Sequence, residues 1–194
     1  MTPQRSLRAP TNARDKGTLH YMTIIDAVRE GEADAERLLK QLGIDPALAV
    51  PIDPVQIART LGIDVRVAPM SEDLSGALVK ARGRDAVIYL SAADGVNRRR
   101  FTAAHELGHF ERHVQRGDDE IDIFDKRDTL YSKGSDPDEA YANAFAAALL
   151  MPADEVRKRV DRWGGIPNPA VLALDFGVSA ESMRYRLKNL GLLD

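Results

Sequence analysis

The sequence predicts a mixed α+β fold, in which a small three-stranded sheet packs on a pair of helices and a helical, helix-turn-helix-like segment follows. Three observations point there. Short runs rich in Val and Ile at 63–67, 75–80 and 86–91 read as strands, punctuated by Pro69, Gly76 and Gly83. Two longer segments, from Asn97 to about His113 and from Glu139 to Met151, carry helical spacing. Everything after Pro152 is helical in pattern.

Taken in order, residues 1–20 hold Pro3, Pro10, Gly17 and little periodicity, and are expected to form a flexible tail. Residues 21–152 form the expected main domain, with its core in 52–152. From Met22 to Leu42 apolar residues recur at helical spacing, with Gly31 a candidate break and Gly43 the stop. Asp53-Pro54 starts a second helix through Ile57, Ala58 and Leu61, because an N-cap oxygen precedes a proline whose φ suits the first turn. A hairpin through 81–85 joins the last two strands. Asn97 is a candidate cap for the next helix. The stretch from Gln115 to Asp138 reads as a long loop with one short element near Ile121 to Phe124. Residues 153–194 divide into helices at 153–163, 169–176 and 180–190.

Composition excludes several classes. The 194 residues include 27 Lys+Arg, 30 Asp+Glu and no Cys, which gives a net charge of −3. Disulfides, thiolate metal sites and a Cys nucleophile are therefore absent, and the chain fits a reducing, cytoplasmic setting. Binding nucleic acid through bulk charge is not expected. The longest apolar run is Ala144 to Met151, well short of the roughly 20 residues a membrane span needs. Arg5 and Arg8 precede no apolar stretch, so no signal peptide is expected.

The chemistry lies in His105-Glu106-Leu107-Gly108-His109. Positions i and i+4 share a helix face, so both imidazoles can reach one metal ion. Glu106 sits about 100° round the helix, where it can act as general base toward a metal-activated water without being a ligand. Zinc suits two imidazoles and acidifies water. Two solvent-facing histidines would be the bland alternative, but three of the four histidines fall in this one helix. A third ligand is needed. Arg112 and Gln115 stand where a metzincin would have Gly and His, and Glu111 points away from the site. Direct ligation by His113 would be unusual. Glu139 is the stronger candidate, because Ala142, Ala146 and Ala147 let its helix come close; Asp136 and Asp138 compete with it. A glutamate there could also simply favour its own helix dipole.

The string from Arg100 to His109, followed by Glu-Ala-Tyr-Ala-Asn-Ala-Phe-Ala-Ala-Ala-Leu-Leu-Met-Pro from Glu139, resembles the ImmA/IrrE family of zinc metallopeptidases. The similarity spans about residues 50–190. It implies a gluzincin-like site, with His105, His109 and Glu139 as zinc ligands and Glu106 as the base. It also implies a cytoplasmic protein that cleaves or antagonises a helix-turn-helix repressor, sometimes within a toxin–antitoxin-like pair in bacteria or phages. A non-proteolytic, metal-stabilised binding module is the alternative. Longer members carry a C-terminal sensor domain, for which this chain is expected to be too short.

Other features are weaker. Arg98, Arg99 and Arg100 oppose the helix dipole; they form either a solvated basic face or, through Arg100, a grip on a carboxylate. The acidic stretch could guide a basic substrate. Tyr131, Tyr141 and His113 are open candidates for an oxyanion donor. The strand at 86–91 is expected at the sheet edge, open to an added peptide strand. The last helices have helix-turn-helix form, exposing Glu181, Ser182, Arg184, Arg186, Lys188 and Asn189, with Met183, Leu187 and Leu190 packed on Val156, Val160 and Trp163. A docked structural segment is expected there, with direct DNA binding the lesser reading.

Overall fold

The structure, a computed structural model, describes residues 23–126 and 136–194. The expected tail lies outside the described residues, as does Tyr131. Among the described residues, eight helices and four strands follow in the order α1 (Ile24–Gln41), α2 (Pro46–Ala49), α3 (Pro54–Thr60), β1 (Asp64–Ala68), β2 (Leu74–Lys80), β3 (Val87–Ser91), α4 (Val96–Arg116), β4 (Ile121–Lys126), α5 (Pro137–Leu150), α6 (Ala153–Arg162), α7 (Pro169–Phe176) and α8 (Ala180–Asn189).

Local chemistry starts most of these elements. Thr23 and Asp26 form a reciprocal capping box on α1, with Asp26 N–H donating to Thr23 Oγ1 at 3.1 Å. Asp53, Asp136 and Asn168 cap α3, α5 and α7, each just before a proline. Asn97 is not a cap: Gly95 holds that place on α4, and the Asn97 amide donates to Val178 O at 3.0 Å. Gly31 does not break α1. A Cβ there would run into the Tyr141 carbonyl, so the glycine lets α1 lie close on α5.

The sheet has four strands rather than three, in the order β1-β3-β2-β4. β3 pairs parallel with β1 and antiparallel with β2, while β4 pairs antiparallel with β2. The short element expected near Ile121 to Phe124 is thus an edge strand, and the stretch expected as loop before it also supplies the end of α4. Residues 86–91 are interior, so they offer no edge to an added strand. The physical reason is that β1 satisfies one side of β3 and β2 the other. Leu78, Ile88 and Leu90 are buried and belong to one hydrophobic core with Leu107, Phe145 and Leu149.

Two charged groups expected in solvent or on carboxylates are instead used inside. Arg100 donates to Gly177 O at 2.9 Å and Ile52 O at 2.6 Å, and burial lowers its pKa. It grips carbonyls, not a carboxylate. Arg186 is only 2% exposed; it donates to Met151 O at 3.0 Å and pairs with Glu32. Arg186 is therefore not presented for a phosphate. Met183, Leu187 and Phe176 join the core with Val156 and Val160, whereas Trp163 stays 60% exposed.

The decisive packing is α4 on α5. A Cβ at Gly108 would lie 2.9 Å from Ala142 Cα and 3.2 Å from Phe145 Cβ. Glycine to alanine in a helix normally gains about 0.5–1 kcal/mol. At position 108 the clash with backbone reverses the sign, and Gly108→Ala should destabilise the protein by about 1–3 kcal/mol in urea unfolding. A stability gain would contradict this packing.

Candidate metal centre

His105 and His109 project from α4, Glu139 from the first turn of α5 and Asp125 from β4. One donor atom from each lies within 4.8 Å of the others. His105 Nε2 is 3.0 Å from His109 Nε2, 3.0 Å from Asp125 Oδ2 and 3.5 Å from Glu139 Oε2. His109 Nε2 is 3.4 Å from Glu139 Oε1 and 3.8 Å from Asp125 Oδ1. A tetrahedral ion with arms of about 2.0–2.1 Å has donor–donor edges of ~3.3 Å, which these distances bracket.

Hydrogen bonding points the same way. With Asn143 Oδ1 accepting from His105 Nδ1 at 3.1 Å, the lone pair of Nε2 faces the cluster. Asp125 Oδ2 and Glu139 Oε2 are buried without a hydrogen-bond partner, although both oxygens face imidazole nitrogens. Lone pairs directed at one point need a cation between them. The residues present therefore fit a divalent metal.

The electrostatics of the metal-free cluster express the same demand. Burial pulls the His105 pKa down, but Asp125 and Glu139 outweigh it and raise it to about 9. Burial opposes ionisation of Asp125 as well, yet its pKa falls because His105 and His109 face it. Glu139 falls far below the usual carboxylate range, held by both histidines. A proton thus takes the place a metal would hold.

Glu106 is fully buried beside this cluster, and neither carboxylate oxygen has a partner. Burial, then Asp125 and Glu139, push its pKa well up. β2 crosses directly over it: a Cβ at Gly76 would strike Glu106 Oε1 and Thr102 Cγ2. Glycine at 76 is what lets the strand lie on the carboxylate.

The competing carboxylates are otherwise engaged. Asp136 caps α5, and Asp138 pairs with Arg116 at 2.5 Å and Arg112 at 3.5 Å. His113 bonds Asp118 at 2.7 Å, and the buried Tyr141 hydroxyl donates to Asp34 at 2.7 Å, so neither joins the cluster. Sequence reasoning missed Asp125 and Asn143. The signal for the first was present: Ile121, Ile123 and Asp125 alternate onto one strand face, with a charge where an apolar residue belongs. Asn143 lies one turn beyond Glu139, on the same helix face.

Such a helix, carrying two histidines and a buried glutamate under a sheet, defines a class of metallopeptidase-type domain. The chain belongs to the family described as the IrrE N-terminal-like domain (Peptidase_M78), whose model matches residues 58–188. Over 103 residues it is 36% identical to the radiation response metalloprotease IrrE of Deinococcus radiodurans, covering 52% of this chain and 30% of that protein. The chain thus spans under a third of that relative's length. Among solved structures, a Mycobacterium tuberculosis transcriptional regulator shares the fold with a TM-score of 0.57 at 17% identity, over 82% of this chain and 46% of that one.

Metal binding must displace the His105 proton. With its pKa raised to about 9, His105 is protonated below that pH in the metal-free protein, and the metal needs it neutral. Apparent metal affinity should therefore rise with pH up to about 9, by about tenfold per unit or more, with proton release measurable by calorimetry in buffers of different ionisation enthalpy. A flat profile between pH 6 and 8 would contradict the geometry, on an expected change of about 100-fold. Separately, Asn143→Ala should weaken metal binding about 10–100-fold in a chelator competition while leaving the fold intact.

Proposed function

We propose that this chain is a zinc-dependent endopeptidase acting in the cytoplasm on a protein partner of the helix-turn-helix repressor type. His105, His109 and Glu139 hold the zinc, and Glu106 is the general base. Family membership supports the class of reaction. The observation that carries the assignment to these residues is Glu106: a buried carboxylate beside two histidines, with both oxygens unpartnered. A group with no structural hydrogen bonds and so large a burial cost suits a catalytic task better than a packing one.

Zinc, when bound, polarises the scissile carbonyl and acidifies the attacking water. The rest falls to the chain. Asn143 keeps His105 in the tautomer whose Nε2 faces the site. Glu106 receives the proton of the attacking water on a carboxylate oxygen and delivers it to the departing amine. Gly76 keeps the strand above free of side chain at that point. The segment 114–139 has nine acidic and four basic residues, which complements a basic DNA-binding partner. Among the described residues no helix is long and apolar enough to cross a membrane.

One observation favours a second reading. With Asp125 the cluster offers four protein donors, the number a closed structural zinc takes. A metal-stabilised module that binds its partner without cutting it would use such a site. Glu106→Gln separates the two: it should retain zinc while cleavage of a repressor-type partner, followed by mass spectrometry, drops by a factor of about 10² or more. Full biological activity in that variant would establish the binding module instead.

A further inference from the structure

The edge of β2 that passes over Glu106 is already occupied. Gly76 is the sheet residue lying against the Glu106 carboxylate, so an extended peptide paired with β2 there would bring its backbone beside both Glu106 and the cluster. β4 runs there instead, antiparallel, from Leu74↔Lys126 to Lys80↔Ile121, with Asp125 opposite Gly76. The register shifts between Leu74 and Gly76, so Ser75 is an extra residue, and a bulge of this kind re-aims the side chains around it. Asp125 is 2% exposed, and its Oδ2 reaches to 3.0 Å from His105 Nε2.

A catalytic zinc site keeps three protein ligands and one open position. The carboxylate of Asp125 stands as the fourth donor. The strand that carries it lies at the edge of the sheet, paired with β2 alone. Ile121 and Ile123 face the core, while Asp122 is exposed and Phe124 is 57% exposed on the other face. Both requirements of a substrate strand, backbone pairing with β2 and an oxygen directed at the metal, are met by this chain's own segment.

We propose that β4 is an internal occupant of the substrate position, with Asp125 stopping the metal, and that an extended segment of the protein partner enters by displacing it. The proposal deepens the peptidase reading and rests on it for what the displaced strand gives way to. The partner's cut site would accordingly be an unfolded or locally extended segment, since a helix cannot replace β4 on the edge of β2.

The test uses the full chain loaded with Co²⁺, whose visible spectrum reports coordination, and acetohydroxamate as the probe of an open position. Asp125→Ala removes the stopper. Asp122→Pro weakens the pairing of β4 with β2 without touching a donor atom. Both should bind acetohydroxamate at least about tenfold more tightly than the wild type. Asp125→Asn should keep the fold and fall between the wild type and Asp125→Ala. Hydrogen exchange should show lost protection at residues 121–126 in Asp122→Pro, with β2–β3 protection retained. Equal acetohydroxamate affinity in all four proteins would overturn the proposal, as would complete loss of metal from Asp125→Ala. Since the readout is access to cobalt and not cleavage, variants that open in this way yet cut no partner would retire the peptidase reading and leave standing only that β4 and Asp125 close the metal's open position. A wild type that cuts its partner, with no difference among the variants, would do the reverse.

Discussion

The close approach of α4 and α5 at Gly108 and Ala142 is the constraint on which the rest of the structure depends. Two helices carrying larger residues at the crossing sit 8–10 Å apart, and the first turn of the second would then stand away from the histidines of the first. With no Cβ at 108 and a methyl at 142, the backbones come close enough for Glu139 to reach His105 and His109. The same economy recurs at Gly31, where α1 closes on α5, and at Gly76, where β2 lies on Glu106. Three glycines therefore set how closely α4 and α1 approach α5 and how closely β2 approaches Glu106.

That point is electrostatically incomplete without a cation. Two carboxylates and two imidazoles face each other in a buried space, and the charge of the former is met only by a proton or a metal ion. Water cannot supply the missing charge, and a buried carboxylate left alone is costly. The surrounding network keeps other groups from filling the gap. Arg112 and Arg116 are drawn to Asp138, and Arg112 also to Glu30 and the face of Tyr141. Arg100 is committed to the carbonyls of Gly177 and Ile52, where it ties the α7–α8 turn to the start of α4.

Much of this was legible in the sequence. A cap and a proline marked α3, Val and Ile runs marked the first three strands, helical spacing marked α5 from Glu139 onward, and His105, Glu106, His109 and Glu139 stood out by spacing and by the small residues beside them. A short element near Ile121 to Phe124 was also legible, but not that it is a strand reaching Lys126 and pairing with β2: it lies in a run of acidic residues, and two isoleucines do not reveal a partner. Asp125 was hidden for the same reason, since its meaning depends on the strand being recognised first. Strand order was not available either: 86–91 looked like an edge because nothing local says that β1 will pair parallel across it. Arg186 and Arg100 looked solvated because a long cationic side chain carries no local sign of the carbonyls that will meet it.

The central claim is that one divalent metal ion sits among these side chains. Anomalous scattering from crystals of the zinc-loaded protein, recorded on either side of the zinc absorption edge, tests it directly. The account predicts a single strong peak about 2.0–2.1 Å from both His105 Nε2 and His109 Nε2, with a Glu139 carboxylate oxygen at about 2.0–2.2 Å. A peak at another place on the surface, or no peak between the two imidazoles at full zinc loading, would contradict it.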